Sequence, residues 1–108
     1  MDNKLQALAD PTRRALLRRS WGREVAAGRL AEGFAMSRPA VSQHLRVLRE
    51  AGLVTVRRSG TSRLYSARPE ALRDIVAFFD ELWDQSLPRL KAAAEAEARS
   101  DHESGDRS

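Results

Sequence analysis

The chain has no cysteine and only two histidines among its 108 residues. Disulfides, thiolate metal sites and cysteine catalysis are thereby excluded, and a reducing cytoplasm is the expected compartment. No run of about 18 apolar residues exists, so no membrane-spanning helix is predicted. Met1-Asp-Asn-Lys4 opens directly into a helical pattern, without the apolar stretch of a signal peptide. Carboxylates are scarce in one part of the chain. Residues 1–68 hold 14 Lys/Arg against 5 Asp/Glu, whereas residues 69–108 hold 5 against 10. The first part therefore suits a polyanion and the second does not. Lysine is scarce too: 17 of the 19 basic residues are arginine, the side chain suited to bidentate phosphate or guanine contacts. No carboxylate pair, activated nucleophile, phosphate loop or ligand cluster stands at a usable spacing, which argues against an enzyme.

What is present centres on Ser37 to Glu50. Ser37 is a suitable N-cap and Pro39 falls in the first turn, where a missing N–H costs little. Val41, Leu45 and Leu48 recur at i, i+4 and i+7, a stripe that must be buried. The opposite face carries Arg38, Ser42, Gln43, Arg46 and Arg49, groups that hydrogen-bond base edges and phosphates. His44 lies on the buried side and reads as a half-buried packing or hydrogen-bonding residue. Before this helix the spacing predicts a short helix over 2–9, with Leu5 and Leu8 as apolar contacts. A second helix is capped by Asp10, starts at Pro11 and packs Ala15, Leu16 and Leu17 inward. Arg13, Arg14, Arg18 and Arg19 read as its wet outer side. A break at Trp21-Gly22-Arg23, a very short strand at Glu24-Val25 and a third helix over Ala26–Phe34 follow. Helix, short turn at 35–37, second helix is the helix-turn-helix arrangement, whose second helix reaches the major groove.

Gly52 ends the focal helix as a left-handed cap. Residues 53–58 and 63–67 then read as two strands around a Gly-containing loop, a hairpin with Val54, Val56, Leu64 and Ser66 on its inner face. Arg57, Arg58 and Arg63 cluster at its tip, as in a wing that meets phosphates or a minor groove. Pro69 begins a last long helix. Its apolar residues Leu72, Ile75, Val76, Phe79, Leu82, Trp83, Leu87 and Leu90 form a stripe wider than one small domain needs. With Leu5 and Leu8 of the first helix, that stripe is the expected homodimer interface. Asp74, Asp80, Glu81 and Asp84 make it unsuited to DNA, and Pro88 is expected to kink or divide it. Trp21 and Trp83 are expected in core packing. Residues 99–108 contain no apolar residue and are expected to be a disordered tail after a single domain over 1–98.

Four blocks resemble a known family. They are Ala-Asp-Pro-Thr-Arg-Arg-Ala-Leu-Leu at 9–17, Ser-Arg-Pro-Ala-Val-Ser-Gln-His-Leu-Arg-Val-Leu at 37–48, Ala-Gly-Leu-Val at 51–54 and Gly-Thr-Ser-Arg-Leu-Tyr at 60–65. In this order they resemble the ArsR/SmtB-type transcriptional regulators over roughly residues 4–90. The resemblance implies a mainly α winged helix-turn-helix with about five helices and a small β-hairpin. It also implies a homodimer joined through the terminal helices, and repression at a palindromic operator in double-stranded DNA. The family's base-contacting positions fall on Arg38, Pro39, Ser42 and Gln43; Arg46 is added from the helical face alone. Metal-sensing members use cysteines near the helix-turn-helix or Asp and His pairs on the last helix. This chain has no cysteine and residues 69–98 no histidine, so no metal site or cofactor is expected. Phe-Phe-Asp-Glu-Leu-Trp at 78–83 resembles the branch that senses no metal. The competing reading is a protein-interaction module working through the acidic aromatic last helix.

Overall fold

Asp10 separates the first two helices. Its carboxylate accepts the backbone N–H groups of Thr12 at 2.8 Å and Arg13 at 3.1 Å, so the chain turns and restarts there. In the computed structural model, which describes the backbone of residues 1–105 and side chains through residue 99, α1 is Asp2–Leu8 and α2 is Pro11–Arg19. They are followed by β1 (Val25–Ala26), α3 (Ala27–Leu30), α4 (Arg38–Glu50), β2 (Val54–Ser59) and β3 (Ser62–Ala67). A 3-10 turn over Pro69–Leu72 leads into α5 (Arg73–Gly105). The architecture is mainly α with one small antiparallel sheet, a winged helix-turn-helix. Met1–Ile75 form one compact unit and a second begins at Val76.

The core of the first unit is aliphatic. Leu16, Leu30, Leu48 and Leu53 are fully buried and Val41 and Leu45 nearly so, which joins α2, α3, α4 and the start of the wing. Ala7, not Leu5 or Leu8, is the buried residue of α1. Ser20 is the one buried polar side chain among the described residues. Its hydroxyl donates to the Leu16 carbonyl at 3.0 Å, while its own carbonyl accepts from Ala67 N–H at 2.9 Å.

Several expectations are corrected. The third helix spans four residues, not nine. Ala26 pairs with Leu64 as a strand residue, and Gly33 takes the left-handed conformation at φ +83°. Arg19 reaches across from α2 and donates to the Leu30 carbonyl at 2.9 Å and the Glu32 carbonyl at 2.6 Å. The Leu30 carbonyl, which Phe34 N–H would need in a continued helix, thus accepts from a guanidinium, and Phe34 N–H bonds the Ala31 carbonyl at 3.4 Å; the guanidinium also lies 4.3 Å from the Phe34 ring centroid. Arg13 and Arg14 likewise bind helix-end carbonyls, Ala7 at 2.7 Å and Leu8 at 2.8 Å. Of the four arginines read as a wet face, Arg14 and Arg18 stay exposed, while Arg13 and Arg19 are half-buried.

The hairpin's inner face is corrected too. β1 adds a third strand, in the order β1-β3-β2, and the register sets Val54 opposite Ala67 and Val56 opposite Tyr65. Opposed residues share a face. The buried face is therefore Val54, Val56, Tyr65 and Ala67, while Leu64 and Ser66 lie on the other side with Thr55 and Arg57. Gly60, at φ +62°, opens a two-residue turn with Thr61.

α5 passes through Pro88 without dividing and continues to Gly105. Arg-Leu-Lys-Ala-Ala-Ala-Glu-Ala-Glu-Ala-Arg at 89–99 is rich in strong helix formers, which outweigh one lost donor. The expected tail from 99 is helical in its described part, and residues 106–108 lie outside the described residues. Of the residues assigned to a subunit interface, Ile75 is buried within the chain, and Leu8 and Leu72 are half-buried with one side against the core. They sit where α1 and the start of α5 belong to the first unit. Trp21 and Trp83 are 47% and 56% exposed, so neither is a core residue. Trp21 is carried outward by the turn at Gly22, whose φ is +71°.

Gly28 lies inside α3 with no positive φ, and a Cβ there would meet nothing nearer than an Arg38 guanidinium nitrogen at 4.0 Å. Gly28→Ala is therefore expected to stabilise the protein by about 0.5–1 kcal/mol, as a rise in urea midpoint. A fall in midpoint contradicts the open space seen at this site.

Candidate nucleic-acid interface

α4 is held by its ends and by one buried stripe, which leaves its outer face free. The Ser37 hydroxyl accepts Ala40 N–H at 3.4 Å, so this side chain is spent on capping. Val41, Leu45 and Leu48 are buried, and Arg38, Pro39, Ser42, Gln43, Arg46 and Arg49 are exposed. Gly52, at φ +77°, turns the chain into the wing, and Leu53 N–H closes the helix end on the Leu48 carbonyl at 2.9 Å.

The wing returns beside this helix. Pro39, Ser42, Gln43, Arg46 and Arg49 form one wall of a cleft of about 670 Å³, and Arg63 and Tyr65 of β3 stand on the other. Arg46 donates to Glu50 at 3.0 Å, an exposed i,i+4 pair that a phosphate or base can readily displace. Arg58 is directly opposite Arg63 in the ladder. Like charges in that position repel, and an anion between them relieves the repulsion. Arg38 lies beside Gly28 and Ala31 of α3, in an adjoining hollow that shares Ala27 and Ser42 with the cleft.

Arg57 is not brought to this face. Its Nε and Nη2 donate to the two carboxylate oxygens of Glu24 at 2.8 and 3.0 Å. That bidentate contact holds Glu24 below the usual glutamate range and raises Arg57. The structure thus assembles Pro39, Ser42, Gln43, Arg46, Arg49 and Arg63 in one cleft, places Arg58 on the same wing face and Arg38 in the adjoining hollow, and turns Ser37 to capping and Arg57 to Glu24.

Two features escape sequence reasoning. Tyr65 lines the cleft, a place that only strand register reveals. Arg13 ties three helices together: its guanidinium donates to the Gln6 and Ala7 carbonyls of α1 and, at 3.3 Å, to His44 Nδ1 on α4. A guanidinium only donates, so Nδ1 is the acceptor in this contact. Asp10, held chiefly by the Arg13 backbone N–H, titrates below the ordinary aspartate range. Among the described residues no group of three or more His, Asp or Glu side chains could hold a metal ion, and no helix is long and apolar enough to cross a membrane.

A capped helix with a polar outer face, preceded by a short helix and turn and flanked by a basic hairpin, defines a winged helix-turn-helix DNA-binding protein. Residues 8–57 match a helix-turn-helix domain family. The chain is 45% identical over 86 residues to the HTH-type transcriptional regulator Rv2034 of Mycobacterium tuberculosis, covering 80% of each. It is 37% identical to the transcriptional repressor SdpR of Bacillus subtilis, over 70% of this chain and 84% of that one. A crystal structure of the ArsR family transcriptional regulator RHA00566 superposes with a TM-score of 0.73 at 30% identity, covering 78% of this chain and 92% of that chain. The chain belongs to the ArsR/SmtB family of transcriptional regulators. It is a regulator that binds double-stranded DNA rather than an enzyme, and the interaction-module reading is not favoured.

Proposed function

We propose that the protein is a repressor that binds a palindromic operator as a homodimer and does not respond to metal. The observation that carries this reading is the cleft in which Ser42, Gln43, Arg46 and Arg49 face Arg63 across the wing. α4 enters the major groove, where Gln43 and Arg46 have the donors and acceptors to read base edges. Arg58 and Arg63 take backbone phosphates beside it. Two such helices in a symmetric dimer meet successive half-sites about 34 Å apart. Dimerisation is supported by the second unit, in which Val76, Phe79, Leu82, Trp83, Leu87 and Leu90 are each 43–56% exposed along one helix. Metal independence is supported by the lack of cysteine and of a ligand cluster among the described residues.

Fluorescence anisotropy on DNA from the protein's own promoter and on a shuffled control, at about 150 mM salt, tests the proposal. A preference of about 10³-fold is expected for a specific regulator. Gln43→Ala and Arg46→Ala should each cost about 1–3 kcal/mol of that discrimination, whereas Arg63→Ala should weaken both DNAs alike. If binding to the two DNAs is equal and Arg46→Ala changes nothing, base reading by α4 is wrong.

A further inference from the structure

Glu24 immediately precedes β1 and Arg57 lies in β2, two strands that do not touch because β3 runs between them. Their bidentate ion pair therefore bridges the sheet from one side strand to the other. It passes on the face of Leu64, the β3 residue opposite both Ala26 and Arg57. Successive strand residues point to opposite faces, so Arg57 shares a face with Thr55 and Leu64. Arg58, Arg63 and Tyr65 share the other, which lines the cleft beside α4. The guanidinium is thus turned away from the cleft and already matched by a carboxylate.

We infer that Arg57 is a wing-positioning residue: paired to Glu24, it fixes the hairpin against β1 and so sets Arg58 and Arg63 at the right distance from α4. This rests on the reading of α4 and the wing as the DNA surface, and it removes Arg57 from the phosphate contacts that its place in the basic cluster suggests. β1 leads directly into α3, the helix that supports the recognition helix. A tie from β2 to the residue before β1 therefore couples wing and helix-turn-helix through a path the short turn at Gly60 does not supply.

The sign of one substitution separates the two roles. Glu24→Gln removes a negative charge and frees Arg57. If Arg57 grips phosphate, DNA binding becomes tighter or stays unchanged. If the pair positions the wing, binding becomes weaker although the protein is more positive. Anisotropy with the full chain on promoter DNA, between 50 and 200 mM salt, reads this directly. Glu24→Gln and Arg57→Gln are each expected to weaken binding about three- to fivefold, the upper reach of an exposed ion pair. The double variant should lose no more than either single one. The slope of log affinity against log salt should be unchanged in Arg57→Gln, whereas a lost phosphate contact lowers it by about 0.9. Tighter binding in Glu24→Gln, or a lower slope in Arg57→Gln, overturns the inference.

Hydrogen exchange of the DNA-free protein gives a readout that does not depend on the DNA reading. The β1–β3 amides should exchange faster than wild type in both single variants, and to the same extent in the double variant. Unchanged exchange overturns the inference whatever happens on DNA. Faster exchange in a protein that shows no promoter preference instead removes the DNA-recognition reading and leaves the tie intact.

Discussion

Phe79→Glu combined with Trp83→Glu is expected to convert the protein from dimer to monomer at micromolar concentration and to weaken operator binding by about 10²-fold or more. The two residues are one helical turn apart and 55% and 56% exposed. Each ring can bury a large apolar area only against another surface, and rings of this kind carry much of the energy where subunits meet. Glu at both positions sets new carboxylates against those of a symmetry mate, beside Asp80, Glu81 and Asp84 of an already acidic helix. The effect on DNA follows from linkage of two half-sites. In a dimer the second α4 binds at the effective concentration set by the first, an advantage of about 10²–10⁴ that a monomer forfeits. Light scattering reads the mass and anisotropy the affinity. A variant that stays dimeric, or a wild type that is itself monomeric, contradicts the assignment of this stripe. Circular dichroism should show the Met1–Ile75 unit folded in either case, because neither ring is in its core.

Leu48→Ala is expected to cost about 2–5 kcal/mol of stability, the range for emptying a fully buried leucine. Leu48 has no exposed surface and sits near the end of α4, one residue before the exposed Arg49. Domains of this size hold about 5–15 kcal/mol in all, so the variant should be largely unfolded in moderate urea and partly unfolded without it. Gln43→Ala on the same helix should stay within about 0.5 kcal/mol of wild type, because its side chain leaves no cavity. The pair separates the two faces of one helix. Leu48→Ala lowers DNA binding by removing folded protein, while Gln43→Ala lowers it with the urea midpoint unchanged. A cost below about 1 kcal/mol for Leu48→Ala would mean that the helix is not seated on this stripe.

The focal helix was legible because everything that makes it is local. Ser37, Pro39 and Gly52 mark its ends, and the stripe of Val41, Leu45 and Leu48 returns with the helical period, so face and limits follow within a 16-residue window. Asp10 and Pro11 were legible for the same reason. The third helix was not: its end is set by Arg19, which takes carbonyls 11 and 13 residues away. Nor was the wing's inner face, because the pattern at 63–67 permits either Leu64 and Ser66 or Tyr65 and Ala67 until pairing with β2 chooses the second. Arg57, Arg58 and Arg63 look equivalent in sequence, and strand alternation together with Glu24, 33 residues earlier, separates them.

By itself the sequence determined the winged helix-turn-helix class, the position of the recognition helix, the basic wing and the exposed apolar stripe of the last helix. Caps, periodicity and charge act between residues a few positions apart, so they can be read along the chain. Only the tertiary structure decided which arginines face the cleft, which hold helix ends and which is tied to a carboxylate. It also decided that Ile75 is buried within the chain while Trp21 and Trp83 stay at its surface. Those outcomes depend on strand register and on contacts between distant segments, whose geometry exists only after the chain has folded.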